Sequence, residues 1–539
     1  LKSLLKTVLW TSVPTRPMAR LARFAAVWTV ATSQQQGKAK EEDHLPITLA
    51  ECTDAGCTGT PKSVTLDGNW RWTHTVGGYS NCYTGTQWDP TTCDTPEDCA
   101  KNCAVEGVPT ADWTQTYGVT TDGSTVTLKY EQGNNIGSRM YMLDNETHYR
   151  MFKLLNREFT FDVDVSQLPC GLNGALYFSE MAADGGLSEF AGNSAGAQYG
   201  TGYCDAQCPH DIKFIDGEAN TLDWNTTSAM GKYGSCCAEM DIWEANSRAT
   251  AYTAHPCTVT GPKRCENDVD CGMDGFCDRP GCDLNTYRFG DKTFFGEGAS
   301  FPIDTTKPFT IVTQFITSDG TDTGDLVDIR RVYYQDGNKV DSPALTIDGN
   351  TYSSITTDFC TAQKDETGDS DQFGIRGGLK QMGEALGRGM VLVMSLWDDG
   401  TANMLWLDSV YPPGATGPGA VRGPCATTTG VPSQTRSAYP NAYVTYGNIK
   451  VGTIGSTMNP VSPPTPAPPS PPSPTPPPVS PTPPPPSPPS PTPVATQCCY
   501  GSCTSGNCQG GWCGQSEAQC TGNCAGIWCP AESFVGVVV

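Results

Sequence analysis

The 26 cysteines of this 539-residue chain constrain its fold more than any other feature of the sequence. In a reducing compartment so many thiols would indicate zinc sites. The chain has only five histidines, however, and no pair of C-x-x-C motifs spaced for a zinc ribbon. Disulfides formed in an oxidising compartment account for the cysteines better. We therefore predict an exported protein whose fold is held together by disulfides.

The first 33 residues also indicate export. From Met18 the sequence contains two arginines, a short apolar run and then Ala-Thr-Ser, which ends at Ser33. This is the pattern of a secretory signal peptide, and the run is too short to span a bilayer. We predict a signal peptide that starts at Met18 and is cleaved near Ser33, with residues 1–17 upstream of it, and a secreted, extracellular product. The alternative is an amphipathic helix of the mature protein.

The charge of the chain excludes several kinds of partner. Its formal net charge is −23 at pH 7, which opposes binding to nucleic acids and to anionic membranes. A neutral substrate is compatible with this charge. N-glycosylation sequons at Asn145 and Asn225 are consistent with export. We expect a monomer that binds neither nucleic acid nor membrane.

Residues 34–459 show the patterns of an all-β domain. Apolar residues alternate with polar ones in EFTFDVDV (158–165) and PFTIVTQF (308–315), as in half-buried strands. Asp336-Gly337 lies between two apolar runs, which predicts a hairpin turn. GMVLVMSLW (389–397) is continuously apolar and predicts a strand buried on both faces. We predict a β-sandwich with long loops.

Two different segments follow this domain. Residues 460–496 consist mainly of proline, serine and threonine, a composition that forms an extended linker and no core. Residues 497–539 are rich in cysteine and repeat the frame Asn-Cys-x-Gly-x-Trp-Cys around Trp512 and Trp528. Because so small a module has little core, we predict that both tryptophans are exposed and bind carbohydrate. A protease-resistant plug and a protein-interaction module are the alternatives.

One motif suggests chemistry. Residues 234–247, GSCCAEMDIWEANS, contain Glu239, Asp241 and Glu244 in the pattern E-x-D-x-x-E. Hydrolysis of a glycosidic bond requires an acid that protonates the leaving oxygen and a second carboxylate on the other side of the anomeric carbon. Such a group of acids is more often a solvated face, but apolar residues between them indicate a packed strand.

The spacing of the three acids matters for this interpretation. In a regular strand Glu239 and Asp241 face the same side, and Glu244 faces the opposite side. A β-bulge between Asp241 and Glu244 would return Glu244 to the side of the other two, and bulges are frequent beside active sites. We therefore predict a bulged strand that presents all three carboxyl groups on one face.

The motif also resembles a known family. Together with FDVDVSQLPCGLNGALYF, YGTGYCDAQCPHDIKFI, GMVLVMSLWDD, NMLWLDS and GAVRGPC, it is similar to glycoside hydrolase family 7, the cellobiohydrolases and endoglucanases that degrade cellulose. The similarity extends over residues 45–456. It implies a concanavalin-like β-jelly-roll sandwich with long disulfide-pinned loops and a substrate cleft or tunnel along its concave face.

The resemblance assigns a role to each residue of the motif. It implies that Glu239 is the nucleophile, that Glu244 is the acid/base, and that Asp241 is the carboxyl group that orients the nucleophile. Nothing in the sequence requires a metal or an organic cofactor. Further residues correspond to positions that contact the glucan chain in the family: His255, Trp70, Trp72, Trp397, Trp406, Tyr177, Gln207, Asp205, Arg139 and Arg422.

The resemblance also implies nine disulfides in the domain. A familiar bridge of the family is lost as a pair, since Ala104 follows Cys103 where two adjacent cysteines are common, and an early cysteine is missing between Gln34 and Glu51. By analogy with the family, the remaining bridges include Cys170–Cys425, Cys204–Cys237, Cys208–Cys236 and Cys282–Cys360.

Three functions remain open at this point. We expect a retaining cellobiohydrolase of the reducing-end type, because the NMLWLDS and GAVRGPC segments typical of those members are retained. The loop at 271–277 is short and Gly400 replaces a frequent tyrosine, so an endo-β-1,4-glucanase with an open cleft is the second candidate. A non-catalytic, lectin-like sandwich is the third.

The predicted role of the tail can be tested by truncation. A variant that lacks residues 460–539 is expected to adsorb less to insoluble cellulose than the full chain, because the linker otherwise keeps a second binding body near the surface. Turnover of a soluble chromogenic cellobioside is expected to be unchanged. Equal adsorption of the two proteins would show that the tail does not anchor the enzyme.

Overall fold

The computed structural model describes residues 34–458 together with the backbone of 461–462, 497–499, 508–509 and 527–529. The chain divides into two compact units, residues Leu1–Thr465 and Pro466–Val539. The predicted signal peptide and Trp512 lie outside the described residues. Within the described residues, the longest helices have 11 residues, and none is long and apolar enough to cross a membrane.

Strands dominate the first unit. The strands are β1 (Gln35–Gln36), β2 (Leu45–Thr53), β3 (Gly56–Leu66), β4 (Thr73–Thr75), β5 (Tyr83–Thr84), β6 (Gln87–Trp88), β7 (Cys103–Val105), β8 (Val119–Thr121), β9 (Thr125–Lys129), β10 (Glu131–Gln132), β11 (Asn135–Ile136), β12 (Ser138–Asn145), β13 (His148–Tyr149), β14 (Met151–Phe152), β15 (Arg157–Asp164), β16 (Leu172–Ser179), β17 (Phe214–Ile215), β18 (Glu218–Ala219), β19 (Gly234–Cys236), β20 (Glu239–Ala245), β21 (Thr250–His255), β22 (Lys263–Cys265), β23 (Cys282–Asn285), β24 (Phe295–Gly296), β25 (Ile303–Asp304), β26 (Phe309–Thr317), β27 (Leu326–Gln335), β28 (Asn338–Asp341), β29 (Leu345–Ile347), β30 (Asn350–Tyr352), β31 (Ser354–Ile355), β32 (Met390–Asp398), β33 (Tyr443–Thr453) and β34 (Val461–Ser462).

The helices of this unit are short and lie in the connections. They are α1 (Pro96–Asn102), α2 (Thr110–Gln115), α3 (Asp268–Cys271), α4 (Thr286–Phe289), α5 (Thr357–Thr367), α6 (Gln372–Ile375), α7 (Gly378–Arg388), α8 (Leu405–Asp408) and α9 (Pro432–Ala438), with one 3₁₀ turn at Ala197–Tyr199.

The long strands form two layers. The front layer has the order β3-β12-β32-β16-β20-β21-β23, and the back layer has the order β8-β9-β33-β15-β26-β27-β28, with antiparallel neighbours in both. Strand β2 pairs with β3 on one side and with β33 on the other, so the first hairpin joins the two layers. The predicted β-sandwich is confirmed.

The core between the layers follows from the alternation that the sequence shows. On the back layer Phe159 and Phe309 point inward, and on the front layer Phe178 and Trp243 do so. The ring centroids of Phe159 and Phe178 are 5.0 Å apart, and those of Trp243 and Phe309 are 5.7 Å apart. Aromatic packing of this kind stabilises the contact between the two layers.

Two local predictions are also confirmed. Asp336 and Gly337 connect β27 and β28 with φ values of 51° and 79°. Both values are positive, as a two-residue type I′ hairpin requires. Every residue of strand β32 from Met390 to Leu396 is buried, so both faces of the strand are covered, and its two edges pair with β12 and β16.

Nine disulfides join the cysteines of the described domain, and none of its cysteines is free. The four bridges implied by the family resemblance are all present. The other five are Cys52–Cys57, Cys82–Cys103, Cys93–Cys99, Cys257–Cys277 and Cys265–Cys271.

In the second unit three short strands are described: β35 (Gln497–Cys499), β36 (Cys508–Gln509) and β37 (Ile527–Cys529). They form an antiparallel sheet with β35 in the centre, and Trp528 pairs with Cys498. The side chain of Trp528 lies outside the described residues, so its predicted exposure stays a prediction.

Candidate active site

The predicted bulge is present in strand β20. Asp241 pairs with Thr253 on β21 and Glu244 pairs with Ala251, so three steps on β20 correspond to two on β21. The extra residue is accommodated at Ile242 and Trp243. The side chains of both residues belong to the core between the layers. Glu239, Asp241 and Glu244 consequently share the outer face of the front layer.

Neighbouring strands add side chains to the same face. Glu239 lies opposite His255 on β21, and Glu244 lies opposite Ala175 on β16. Because strand side chains alternate, Asn173 and Tyr177 point the same way as Ala175. The face therefore combines acids from β20 with polar groups from the strands on each side.

Glu239, Asp241 and His255 form a buried cluster. Oδ2 of Asp241 lies 3.1 Å from Nε2 of His255, and the carboxyl groups of Asp241 and Glu239 are hydrogen-bonded to each other. Nδ1 of His255 lies 2.8 Å from the carbonyl oxygen of Asp278. A carbonyl only accepts, so Nδ1 carries a proton and Nε2 faces Asp241.

The electrostatics of the cluster favour a shared proton. Burial, and next the charge of Asp241, raises the pKa of Glu239 well above its usual value. Burial, and next the charge of Glu244, raises the pKa of Asp241 in the same way. The backbone N–H of Ala206 donates to Oε2 of Glu239 at 3.1 Å, which stabilises the ionised form of that residue. The hydrogen bond from Ala206 favours ionised Glu239, whereas the hydrogen bond from Glu239 lowers the pKa of Asp241. The two carboxyl groups therefore share one proton.

Glu244 has a different environment. Burial raises its pKa to about 7, while the charge of His255 and a hydrogen bond from Asn173 act in the opposite direction. Nδ2 of Asn173 donates to Oε1 of Glu244 at 2.9 Å, and Oδ1 of Asn173 accepts from the backbone N–H of Ala245 at 3.1 Å. The second bond fixes the orientation of the amide, so its NH₂ group must face Glu244. A carboxyl group that titrates near neutral pH can both give and take a proton.

A second cluster extends from Glu239 along the face. The hydroxyl groups of Tyr177 and Tyr203 are 2.7 Å apart, and Tyr203 donates to Oδ2 of Asp205 at 2.6 Å. The guanidinium group of Arg139 lies 3.3 Å from the centre of the Tyr203 ring and is ion-paired with Asp67 at 2.5 Å. The structure therefore brings together three of the predicted residues, Tyr177, Asp205 and Arg139.

The two N-terminal tryptophans have separate environments. Trp70 is half-buried against the core, its Nε1 donates to the carbonyl oxygen of Gly137 at 3.1 Å, and Arg139 lies 5.2 Å from its ring. Trp72 is also half-buried, but it stacks on His74 with a centroid distance of 4.0 Å. Trp70 is thus in contact with Arg139 of the second cluster. Trp72 follows Trp70 by two residues in the sequence.

Trp397 and Trp406 form a pair on the other side of Glu244. Their ring centroids are 6.1 Å apart with an interplanar angle of 28°, and both are half-buried against Ala251, the residue opposite Glu244. Nε1 of Trp406 donates to Asp399 at 3.0 Å. These aromatic rings therefore lie beside the acid/base candidate.

The last two predicted residues lie at the edge of the site. Gln207 is exposed, and its side chain donates to the carbonyl oxygen of Arg279 at 2.7 Å. Arg422 lies 3.8 Å from Asp283, which is also ion-paired with Arg288. Neither Gln207 nor Arg422 contacts the three acids of β20 directly.

Several contributors to the site were not found from the sequence. Asn173, Tyr203 and Asp278 act on Glu244, Asp205 and His255. Asn173 and Asp278 lie in other segments of the chain than their partners, whereas Tyr203 lies only two residues before Asp205. No local pattern marks them. Only the register of β16 against β20, and the loop that follows Cys277, reveal their partners.

One group in the described domain has the composition of a metal site without a disulfide-bonded cysteine. Ligand atoms of Glu239, Asp241 and His255 lie within 4.8 Å of one another. The hydrogen bonds among these three residues account for this closeness. Proton sharing among these three residues therefore explains why their potential ligand atoms lie so close together.

The family model described as glycosyl hydrolase family 7 matches residues 36–458. The chain is 52% identical to a GH7 family cellobiohydrolase from Daphnia pulex, with a TM-score of 0.77 over 79% of this chain and 100% of that one.

Two other structures are also similar. A cellobiohydrolase from Melanocarpus albomyces complexed with cellotetraose is 42% identical, with a TM-score of 0.74 over 78% of this chain and 99% of that one. The native endocellulase of Humicola insolens is 39% identical, with a TM-score of 0.67 over 78% of this chain and 100% of that one. Exo- and endo-acting enzymes are thus both among the similar structures.

The contact between Asn173 and Glu244 predicts a pH effect. In Asn173→Ala the hydrogen bond that favours ionised Glu244 is lost, so the pKa of Glu244 rises above its value of about 7. An acid is active while protonated, so the basic limb of kcat/KM on a chromogenic cellobioside should move to higher pH.

The matched control is Asn220→Ala. Asn220 is equally buried, but its side chain donates only to backbone carbonyl groups, of which the nearest is that of Tyr233 at 2.9 Å. This variant should lose stability without a shift of the basic limb. An unchanged limb in Asn173→Ala would contradict the proposed tuning of Glu244.

Proposed function

Because the chain belongs to glycosyl hydrolase family 7, we propose that it is a secreted enzyme that hydrolyses the β-1,4-glucosidic bonds of cellulose with retention of configuration. The observation that carries the proposal is the bulge in β20, which places Glu239, Asp241 and Glu244 on one buried face. The charges of Glu239 and Glu244 are close enough to act on each other. Family membership gives no support to the lectin-like alternative.

In the first step Glu239 acts as the nucleophile. A carboxylate oxygen of Glu239 forms a bond to the anomeric carbon as the bond from that carbon to the leaving oxygen breaks. Glu244 transfers its proton to that oxygen, so the leaving sugar departs as an alcohol. The product of this step is a glycosyl ester on Glu239.

In the second step Glu244 acts as the base. It takes a proton from a water molecule while the water oxygen attacks the anomeric carbon, and the ester bond to Glu239 breaks. Two inversions at the same carbon give net retention. A pKa near 7 suits Glu244 for both directions of proton transfer.

Asp241 and His255 are proposed as positioning residues. In this proposal a protonated Asp241 donates to Glu239 and fixes the orientation of the attacking oxygen, since burial raises the pKa of Asp241 and ionisation of both adjacent carboxyl groups is unfavourable. His255 holds Asp241 from the other side through Nε2. This arrangement keeps the negative charge on the nucleophile.

The binding residues are proposed to follow the glucan chain. Sugars stack on aromatic rings, because their C–H groups meet the negative face of the ring. Trp70, Trp72, Trp397 and Trp406 supply such rings on both sides of the acids. Nη2 of Arg139 is buried without a hydrogen-bond partner among the described residues.

We propose exo action as a reducing-end cellobiohydrolase that releases cellobiose. Two observations support it. The more similar of the structures compared are cellobiohydrolases. The loop from Ser409 to Arg422 is folded back on itself by a bridge between Val410 and Val421 and is tied to β16 through Cys425–Cys170.

One observation favours endo action as the second candidate. At Gly400 an added Cβ atom would have no neighbour within 4 Å, so the loop tip beside Trp397 is open. An open cleft admits the middle of a chain. The Humicola insolens endocellulase shows that this fold also occurs with endo action.

Replacement of the nucleophile is the first test. Glu239→Gln keeps the shape of the side chain but cannot attack, and kcat should fall by more than about 10³-fold, equivalent to about 4 kcal/mol of transition-state stabilisation. The matched control is Glu180→Gln, since Glu180 is equally buried but ion-paired with Arg388 outside the cluster.

Proton NMR of the wild-type reaction should show the β-anomer first; the α-anomer would contradict retention.

The products on insoluble cellulose are the second test, because they separate exo from endo action. A cellobiohydrolase should release mainly soluble cellobiose and leave few new reducing ends on the solid. An endoglucanase should place a large share of new reducing ends on the insoluble fraction. The second result would replace the exo proposal but leave the retaining mechanism intact.

A further inference from the structure

The turn after strand β4 carries an exposed aromatic ring. Tyr79 is 77% exposed, more than any other large apolar or aromatic side chain in the described part of the chain. Single exposed rings are common on protein surfaces and need no explanation by themselves. Tyr79 differs because its ring is aligned with that of Trp72, with centroids 6.2 Å apart and an angle of 28° between the planes.

A single buried imidazole supports both rings. His74 stacks beneath Trp72 at 4.0 Å, and its Nε2 is paired with Oε2 of Glu106 at 2.6 Å. Nδ1 of the same ring lies 2.8 Å from the carbonyl oxygen of Gly78, the residue before Tyr79. The turn that carries Tyr79 is therefore attached to the residue on which Trp72 rests.

The base of the turn is fixed in other ways as well. The backbone N–H of Thr75 donates to the carbonyl oxygen of Ser80 at 2.9 Å, and the disulfide Cys82–Cys103 follows two residues later. Nε1 of Trp72 donates to Oδ1 of Asn81 at 2.6 Å. The backbone thus holds Tyr79 in place although its side chain makes few contacts.

Tyr79 is the last of a series of aromatic residues, here called the row, that starts at Tyr203. Arg139 lies between the rings of Tyr203 and Trp70, Trp72 follows Trp70 by two residues, and Tyr79 lies beside Trp72. The high exposure of Tyr79 shows that Trp72 covers little of its ring. A ring face is therefore free at the outer end of the row.

We propose that Tyr79 is a further glucan-binding residue, which stacks on a sugar unit beyond the one that Trp72 contacts. This inference rests on the proposed function, since it assumes that a glucan chain follows the row. Only a chain long enough to pass Trp72 reaches Tyr79. The residue accordingly favours long substrates over short ones.

The test compares a long and a short substrate with the full chain. Initial rates on amorphous cellulose at sub-saturating loading are measured beside kcat/KM on a chromogenic lactoside, which is too short to reach Tyr79. In Tyr79→Ala the loss of one aromatic contact should lower the rate on cellulose by about three- to tenfold. The fold loss of kcat/KM on the lactoside should be at least threefold smaller than the fold loss of the initial rate on cellulose. Every variant keeps the tail, so its contribution is the same throughout.

Two further variants complete the test. Tyr79→Phe keeps the ring and should retain the wild-type rate on cellulose, whereas a loss as large as that in Tyr79→Ala would show that the hydroxyl group, and not the ring face, carries the effect and would overturn the inference. Tyr439→Ala removes another exposed ring, 50% exposed, and should change neither rate. An unchanged or faster rate on cellulose in Tyr79→Ala would overturn the inference about Tyr79 and leave the proposed function intact. A wild-type protein inactive on both substrates would instead overturn the proposed function.

Discussion

One extra residue in strand β20 determines what the front layer of the sandwich can do. Without the bulge, Glu244 would point into the core between the layers, away from Glu239 and Asp241. With it, Ile242 and Trp243 both pack inward and Glu244 joins Glu239 and Asp241 outside. The core and the acidic face therefore depend on the same backbone irregularity, and neither could exist in its present form without the other.

This face must hold several acids in a buried environment, in a chain that is already strongly negative. Burial raises the pKa of each acid of β20, which by itself would leave all three protonated. The surrounding groups act differently on these three pKa values. Backbone and amide donors act on Glu239 and Glu244, while the imidazole of His255 faces Asp241. Different partners thus act differently on the pKa values of chemically similar side chains.

The sequence predicted those features that depend on neighbouring residues. Alternation identified the strand with Phe159, the Asp336-Gly337 pair identified a hairpin, and the spacing of the acids identified the bulge. Resemblance to a family supplied disulfides between distant cysteines, which spacing does not determine. The partners of Glu244 and His255 could not be predicted, because Asn173 and Asp278 approach them only through the register of the sheet and the path of a long loop.

The disulfide Cys170–Cys425 closes a loop of 255 residues that contains the three acids and most of their partners. The bridge Cys282–Cys360 lies inside it. A protease that cuts one exposed connection between residues 171 and 424 would produce two fragments that remain covalently joined, with strand β16 still tied to the loop after α8. A single nick in this range therefore does not separate the two parts of the domain.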